Sequence, residues 1–128
     1  MDILEVVINH IIESGLCGAK DVDIFKQYTP DELDRAVTVF EVAGSRYHHN
    51  TGMAVRRVHI QVRDKSTKIA TQRCWDIFNV FDSEEQVITM GGKVYPYQIA
   101  ALPTYLNMDT KGRRHVRLDV NFLVNNRI

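Results

Sequence analysis

The adjacent pair His48 and His49 is the most conspicuous chemical feature of this sequence. Imidazole nitrogens are common metal ligands, but a metal site requires further ligands that converge on the same point. Side chains of adjacent residues diverge on an extended backbone, and no spacing in the sequence forces another ligand toward the pair. We therefore interpret the pair as part of an exposed polar loop, and the sequence predicts neither a metal nor a cofactor.

The two cysteines give no sign of a redox or metal centre. Cys17 and Cys74 lack CxxC spacing, and two cysteines are too few for a disulfide framework. Cys74 falls on the apolar stripe of a predicted helix, a position that favours a small buried hydrophobe over a catalytic nucleophile. Both residues are therefore expected to be reduced thiols.

Other signatures of catalysis or ligand binding are missing from the sequence. The acidic residues Asp31, Glu32 and Asp34 lack the pattern of a calcium loop, and acids are common at helix starts. The dipeptide Gly91-Gly92 does not continue into a phosphate-binding loop, and no serine lies in a Gly-x-Ser-x-Gly elbow. These observations point away from an enzyme.

Several arginines could form a basic cluster. They would gather if the strands predicted at residues 56–63 and 115–124 were neighbours: Arg56, Arg57, Arg63, Arg113, Arg114 and Arg117. Such a stripe could bind phosphates, but Asp64, Asp109 and Asp119 are interleaved and offer cancelling partners. An assembly interface, or plain solubility, is the favoured interpretation.

The composition fits one domain of ordinary size, over residues 1–128. Of the 128 residues 45% are hydrophobic, and 16 basic side chains balance 16 acidic ones. This balance argues against a dedicated DNA-coating protein, which needs a net basic surface. The apolar run at residues 3–12 is too short for a membrane span and lacks the flanking features of a secretory signal.

Apolar periodicity predicts two helices. In residues 2–14 and 66–81, apolar residues recur at offsets of three and four, the spacing of an amphipathic helix. Asp64 or Ser66 is the expected N-cap of the second helix. The acidic stretch at residues 20–35 is expected to be a polar connection with one or two short turns.

Alternation and turn signals predict five strands. They lie at residues 36–42, 56–63, 86–90, 93–102 and 115–124. Gly91 and Gly92 predict a β-hairpin, because both can adopt positive φ. Loops are expected at residues 44–54 and 103–112.

This order of elements is typical of an α+β fold. Each alternating strand has one apolar face, which two helices would cover. We therefore predict a mixed, largely antiparallel β-sheet with two helices packed on one face and a β-hairpin. The other face is expected to remain polar and available to solvent or a neighbouring subunit, and it carries Arg57, His59, Gln61, Arg63, Arg117, Asp119 and Asn121.

Four segments, taken in order, resemble the tail terminator proteins of tailed bacteriophages, a family of minor capsid proteins. They are residues 58–64 (VHIQVRD), 75–78 (WDIF), 99–113 (IAALPTYLNMDTKGR) and 116–124 (VRLDVNFLV). In the family, a VQVRVRD-like strand precedes a helix, and a G-x-Asp-x-x-Gly-Arg loop precedes a closing strand. Asn107 stands where the family often has Gly, and residues 44–54 replace an expected proline-rich loop.

The resemblance implies a structural virion protein with no catalytic step. Members of the family form a homohexameric ring on the last ring of tail tube protein, stop its polymerisation and present a head-tail joining surface to head-completion or connector proteins. The resemblance also implies assembly in the host cytoplasm and residence in the tail and neck of the virion. Genome DNA would pass through the ring without sequence-specific binding, and no membrane is involved.

The resemblance also suggests where partners bind. Loops on a rigid scaffold often carry binding residues, so the loops at residues 44–54 and 104–113 are candidate contacts with the tube or the head. The polar sheet face is a candidate contact with the adjacent subunit. The candidate interface residues are Arg46, Tyr47, His48, His49, Asn50, Arg57, His59, Arg63, Asp109, Lys111 and Arg113.

Two alternatives remain open at this point. A head-completion or connector protein of the same virion also forms rings, but it binds on the portal side. A small metal-dependent hydrolase or nuclease would use His48, His49, His59 or Asp64. That second alternative requires these groups to converge in one pocket.

Overall fold

The computed structural model describes residues 2–46 and 53–125. This part of the chain forms two helices and six strands. In chain order they are α1 (Ile3–Glu13), β1 (Ile24–Lys26), β2 (Ala36–Arg46), β3 (Met53–Asp64), α2 (Thr67–Phe81), β4 (Val87–Met90), β5 (Lys93–Met108) and β6 (Arg114–Asn125). Neither of these helices is long and apolar enough to cross a membrane.

The six strands form one mixed sheet in the order β1-β2-β3-β6-β5-β4. β1 and β2 are parallel, and the other neighbouring pairs are antiparallel. β3 and β6 pair at the centre of the sheet, from Met53 opposite Asn125 to Asp64 opposite Arg114. The predicted α+β fold with a mixed, largely antiparallel sheet is confirmed.

The central strands show the alternation that predicted them. Val58 and Ile60 of β3 are fully buried, and so are Leu118 and Val120 of β6. The side chains between them lie on the opposite face, because side chains alternate along a strand. α2 packs against β3, β6 and β5, so one sheet face is buried beneath a helix as predicted.

α2 begins where the sequence predicts. Oγ of Ser66 accepts a hydrogen bond from the backbone N–H of Ile69 (3.3 Å), which makes Ser66 the N-cap. Oδ1 of Asp64 accepts a bond from the N–H of Ser66 (2.9 Å) and so fixes the approach to the helix. The apolar periodicity of residues 66–81 includes Ile69, which is nevertheless 43% exposed, because it lies about 100° around the helix from the buried Ala70.

α1 is more enclosed than a typical amphipathic helix. Val6, Val7 and Ile8 are all fully buried, so the apolar surface is wider than the predicted stripe. α1 contacts β1 and β2 at one end of the sheet and β4 at the other. The sheet therefore curls around α1. The rings of His10 in α1 and Phe81 in α2 lie edge to face with their centroids 5.2 Å apart, which joins the two helices.

The predicted β-hairpin is confirmed, and it covers little of β5. Gly91 and Gly92 join β4 to β5 with φ of +60° and +76°. β4 pairs with residues 93–96 and ends there. The remainder of β5 pairs with β6 on one side only, within the part of the chain that the structure describes.

Three predictions about loops are wrong in whole or in part. The loop predicted at residues 44–54 is shorter at both ends, because β2 continues to Arg46 and β3 begins at Met53. The predicted polar connection at residues 20–35 contains β1, whose Ile24 and Phe25 are buried. A strand of three residues is too short for periodicity to reveal. The loop predicted at residues 103–112 is wrong in its first half, because β5 continues to Met108. Register shifts interrupt the alternation of β5 and hide the strand from pattern analysis.

Candidate functional site

The turn between β5 and β6 is shaped by one carboxylate. Oδ1 of Asp109 accepts hydrogen bonds from the backbone N–H groups of Lys111 (2.9 Å) and Arg113 (3.1 Å). Gly112 donates its N–H to the carbonyl oxygen of Asp109 (3.0 Å) and adopts a φ of +78°, which favours glycine. The Asp-x-x-Gly-Arg segment noted in the sequence is therefore a built turn, in which the Asp and the Gly have defined conformational roles.

The side chain of Arg113 joins this turn to the segment after β1. Its Nε donates to Oδ2 of Asp109 (2.8 Å), and its Nη2 donates to Oδ1 of Asp31 (2.8 Å). Its Nη1 donates to the carbonyl oxygens of Asp31 and Leu33. Arg113 is only 4% exposed, so its guanidinium is occupied by bonds within the chain.

Two further residues complete a network that we name the charged clasp: Asp31, Asp109, Lys111, Arg113 and His115. Nζ of Lys111 lies 2.5 Å from Oδ2 of Asp31. Nε2 of His115 lies 2.9 Å from Oδ2 of Asp109, and its Nδ1 lies 2.8 Å from Nε2 of Gln61 in β3. The charged clasp therefore ties β3, β6 and the segment around residue 31 to one another.

Hydrogen bonds hold both carboxyl groups of the charged clasp in their charged form. Bonds from Lys111 and then Arg113 lower the pKa of Asp31 to about 2. The bond with His115, followed by bonds from Arg113, lowers the pKa of Asp109 against the opposing effect of burial. The pKa of Arg113 is raised, chiefly by its bond to Asp31. The charges of the clasp thus stabilise one another inside the chain.

A second arginine holds the same segment from the sheet. Nη2 of Arg63 donates to the carbonyl oxygens of Pro30 (2.8 Å) and Leu33. Burial, and then the nearby charge of Arg113, lower the pKa of Arg63. A cleft of about 320 Å³ beside it is lined by Gln27, Tyr28, Thr29, Thr38, Phe40, Gln61, Arg63 and His115. The lining contains one histidine, His115, and its Nε2 is held by the carboxylate of Asp109, a member of the charged clasp.

The centre of the polar sheet face is partly enclosed. Nε2 of His59 lies 3.6 Å from Oδ1 of Asp119, and the ring of Phe40 packs edge to face against His59 at a centroid distance of 5.2 Å. Burial lowers the pKa of His59, with Asp119 acting in the opposite direction. Among the polar face residues named from the sequence, Arg57 is exposed and the others are half-buried.

One end of this sheet face is apolar, which the sequence analysis did not predict. A groove of about 540 Å³ is lined by Met53, Lys93, Val94, Tyr95, Pro96, Leu123 and Val124. A second groove of about 330 Å³ shares Pro96 and Leu123 with it and extends to Val55. Of these lining residues, Val55, Pro96 and Leu123 lie on the face opposite the helices, whereas Tyr95 and Val124 pack against the core. Apolar surface therefore reaches the face opposite the helices at the end where β3 begins.

The sequence predicts that interleaved aspartates neutralise the charges of the arginine cluster, and the structure confirms this for two arginines. Arg113 is paired with Asp109, and Nε of Arg117 lies 3.0 Å from Oδ1 of Asp119. Asp64 instead accepts a bond from Arg35 (2.7 Å), which lies outside the cluster. Two further members also have partners in the chain: Arg56 donates twice to Glu41 (2.6 Å each), and Arg114 donates to the carbonyl oxygens of Lys65 and Gly112. These contacts do not leave a free basic stripe for phosphates.

The hydrolase alternative finds no support in the described residues. His48 and His49 lie outside them, as do the candidate interface residues Tyr47 and Asn50, while Arg46 is the last residue of β2. His59 and Asp64 lie on opposite faces of β3, because they are an odd number of residues apart in a strand with unbroken register. Within residues 2–46 and 53–125, no three His, Cys, Asp or Glu side chains are grouped closely enough to hold a metal ion.

Both cysteines are free and buried, as the sequence predicts. Cys74 is fully enclosed by the core, and burial raises the pKa of its thiol to about 12. Burial also raises the pKa of Cys17, although its Sγ accepts a contact from Nη2 of Arg73 at 3.7 Å. A thiol with a raised pKa is a poor nucleophile at neutral pH, so the interpretation of Cys74 as a small buried hydrophobe is confirmed.

A second candidate surface, the outer edge of β5, was missed by sequence reasoning. The backbone N–H of Tyr97 donates to the carbonyl oxygen of Gln86 (3.0 Å), and this is the end of the cover that β4 and its flanking residues provide. Beyond it, no strand in residues 2–46 or 53–125 pairs with this edge. We name residues 98–108 of β5 the open edge.

The open edge is uncharged and exposes apolar side chains. Residues 94–108 contain no Asp, Glu, Lys, Arg or His, in a chain of which 25% is charged. Leu102, Tyr105 and Met108 are each about half exposed, and Leu106 is 39% exposed. The uncharged run is a signal that could have revealed this surface, but the predicted loop at residues 103–112 concealed it.

The sequence was compared with models of known protein families and with curated proteins. A family model described as "Bacteriophage tail terminator protein" matches residues 11–126, nearly the whole chain. None of the curated proteins compared with the chain matches it. The matched residues include all of the strands, and with them the charged clasp and the open edge.

Proposed function

Because the chain belongs to the bacteriophage tail terminator protein family, we propose that it forms a ring that caps the tail tube and stops tube polymerisation. The family is structural, and the chain is accordingly a structural component of a phage tail and virion. The family match over residues 11–126 carries the proposal. In it, the ring is a homohexamer, is assembled in the host cytoplasm and provides the surface at which head and tail are joined.

A closed ring requires a head-to-tail interface, in which two different surfaces of the subunit meet. The sheet offers two different edges, formed by β1 and β2 on one side and by β5 and β4 on the other. The grooves near Pro96 and Leu123 add apolar surface on the face opposite the helices. These features support self-association, because the chain has complementary positions at which copies can meet.

The charge distribution supports passage of DNA through the ring. The chain has no formal net charge, and carboxylates pair with Arg56, Arg113 and Arg117. Phosphate binding would have to displace these partners, so a tight hold on the genome is not expected. Salt-sensitive DNA binding by the isolated protein at micromolar concentration, measured by fluorescence anisotropy, would contradict this part of the proposal.

The decisive experiment is a tube-capping assay. Tail tube protein is allowed to polymerise with and without this chain, and tube lengths and tube ends are recorded by negative-stain electron microscopy. We expect added protein to arrest elongation and to appear as a ring with a central hole at the tube end. Tubes that elongate equally with and without the chain would overturn the proposal.

A connector role on the head side is distinguished by the binding partner. Co-purification with tail tube protein supports the terminator function, whereas co-purification with portal protein and not with tube protein would favour a head-completion or connector protein. The experiment uses the same tagged chain with each partner separately. The two results are therefore directly comparable.

The loop between β2 and β3 remains our proposed axial contact with the tube or the head. It contains the candidate residues Tyr47, His48, His49 and Asn50 and is flanked by Arg46. Shortening residues 47–52 should leave the fold intact and abolish capping, as measured by circular dichroism and the capping assay. Unchanged capping by the shortened chain would show that the loop is not the contact.

A further inference from the structure

We propose that neighbouring copies of this chain join through their sheets, with the outer edge of β2 in one copy pairing with the open edge of β5 in the next. This inference rests on the ring proposed above and names the surface that builds it. The partner is a second copy of the chain, and the contact is formed by backbone hydrogen bonds between strands together with the exposed apolar side chains of β5.

The open edge has the properties of a strand that awaits a partner. Unpaired strand edges present rows of N–H and C=O groups that template pairing with another chain, and proteins usually protect them with charged side chains or cover. Residues 98–108 have neither strand cover within the described chain nor any charged side chain; their protection is limited to Pro103, which lacks an N–H donor, and to register shifts in the pairing with β6. Leu102 and Met108 expose more than half of their surface there. This is the arrangement that strand addition uses.

A groove beside the open edge provides room for an added strand. It measures about 290 Å³ and lies between the end of α2 and β5, with Phe78, Ile99 and Leu102 among its lining residues. Trp75, one turn before Phe78 on α2, is 37% exposed and packs edge to face against it at 5.2 Å. A strand added to the open edge would cover apolar surface of both β5 and α2.

The outer edge of β2 is a suitable second half of the joint. β1 pairs with residues 37–39 of β2 only. Directly after β1, the backbone N–H of Gln27 donates to the carbonyl oxygen of Val39, and Oε1 of Gln27 accepts a bond from the N–H of Glu41. Residues 42–45 of β2 are uncharged, and no strand of residues 2–46 or 53–125 pairs with their outer side. The carboxylate of Glu41 is already held by Arg56. Pairing of residues 42–45 with the open edge therefore adds no charge from β2, and the charged side chain beside the contact is Asp82, which lines the groove next to β5.

The strand directions favour this joint in a ring. β2, β3, β6 and β5 are successive antiparallel neighbours, so β2 and β5 run in opposite directions. Copies related by rotation about a ring axis keep the sense of their strands, so β5 of one copy would meet β2 of the next in antiparallel pairing. Residue 42 of β2 lies level with residue 98 of β5 across the sheet. The joint therefore places residues 42–45 beside the open edge in a ring whose strands are inclined to its axis, as the strands of closed β-barrels are. Pairing of two β5 edges would instead close at a dimer and could not continue around a ring.

The first test introduces charge at the open edge. Leu102→Lys with Leu106→Lys replaces two exposed apolar residues of β5. Val22→Lys with Ile69→Lys is a matched control at exposed apolar residues that belong neither to the open edge nor to residues 42–45 of β2. The variants are mixed with tail tubes and examined by electron microscopy, because the ring can require its template. We expect the edge variant to lose at least ten-fold in the fraction of capped tubes and the control to resemble the natural chain. Equal capping by both variants would overturn the proposal.

The second test identifies the two strands that meet. Leu102→Cys and Ala43→Cys are combined in one chain, and rings assembled on tubes are treated with a flexible bis-maleimide. A head-to-tail joint gives a ladder of dimers, trimers and larger products, and neither single variant gives more than the natural chain, whose cysteines are buried. Dimers from Leu102→Cys alone, with no ladder from the double variant, would overturn the joint in favour of paired β5 edges.

The two proposals fail in different ways. If the natural chain forms rings and caps tubes while the charged edge variant does the same and no ladder appears, the joint is wrong and the function stands. If the natural chain neither forms rings nor caps tubes, the proposed function is wrong and the joint falls with it. Size-exclusion chromatography and circular dichroism of each variant verify that it is folded before either comparison is made.

Discussion

The charged clasp and the open edge are adjacent in the chain, yet they use their residues in opposite ways. The open edge ends at Met108, and the turn of the charged clasp begins at Asp109. Asp109 and Arg113 direct their polar atoms into the chain, where each has several partners. The open edge directs apolar side chains and an unpaired strand edge outward, within the described structure.

This difference shows that reactive residue types are a poor guide to the exposed surface of this protein. Asp109, Lys111 and Arg113 were candidate interface residues because they lie in the predicted loop at residues 104–113. The structure gives all three intramolecular partners, and Arg113 is buried. Their observed role is to fix the turn that ends the open edge.

The strongest way to break the charged clasp is to remove its buried cation. Arg113→Ala leaves the carboxylate of Asp109 and the carbonyl oxygens of Asp31 and Leu33 without their shared donor. We expect the free energy of unfolding to fall by about 2 to 3 kcal/mol, measured by chemical denaturation at neutral pH.

Lys111→Ala is the matched control for this change. Lys111 contacts the same Asp31, but its side chain is 52% exposed. Exposed ion pairs contribute little, so the loss should stay below about 0.5 kcal/mol. Equal losses for the two variants would show that the buried position of Arg113 has no special importance.

A smaller effect is expected from the backbone of the same turn. Gly112 has a φ of +78°, and a Cβ added there would meet no other atom within 4 Å. The cost of Gly112→Ala therefore comes from backbone strain alone, and we expect a loss of about 1 kcal/mol. Thr110→Ala in the same turn is the control. A Gly112→Ala variant as stable as the natural chain would contradict this reading of the turn.

The sequence predicted those elements whose burial is regular. Both helices, the strands β3 and β6 and the Gly91-Gly92 hairpin follow from periodicity or turn chemistry alone, and the structure contains each of them. β1 is held by pairing with β2 and by burial beneath α1, and neither leaves a pattern in three residues. The second half of β5 was missed because its register shifts disturb alternation.

The candidate site was less predictable than the fold because its contacts are long-range. Arg113 meets Asp31 through strand pairing that brings distant parts of the chain together. The sequence indicated that acids would cancel the arginines, but Asp31 was interpreted only as a solvated acid at a helix start. The open edge depends on an absence of charge and of pairing, and the second of these is visible only in a structure.

Acid should weaken the charged clasp in a defined pH range. The pKa of Asp31 is lowered from 3.8 to about 2 in the folded protein, and that of Asp109 is lowered as well. A lowered folded-state pKa stabilises the fold above the unfolded-state value, and this stabilisation is lost as pH falls from about 4 toward 2. We expect the free energy of unfolding to decrease over this range.

Asparagine substitutions test the source of this acid sensitivity. Denaturation of Asp31→Asn and Asp109→Asn at a series of acidic pH values should show a shallower dependence than the natural chain. Glu84→Gln, at an exposed position after α2, is the control and should leave the slope unchanged. An unchanged slope in both clasp variants would mean that other carboxyl groups dominate the acid response.

The smallest effect on stability is expected at the open edge, and it completes the comparison. Leu102→Lys with Leu106→Lys changes two exposed side chains of β5 whose apolar surfaces are only partly in contact with the rest of the chain. Surface substitutions of this kind alter the free energy of unfolding by about 0.5 kcal/mol or less. The same variant should lose tube capping, whereas Arg113→Ala should lose stability. Denaturation of the isolated chain, set beside the capping assay, separates the two. A loss of stability in the edge variant as large as that of Arg113→Ala would mean that the open edge contributes to the fold of the subunit itself, and a strand edge that the fold already requires would no longer be free to receive a second copy.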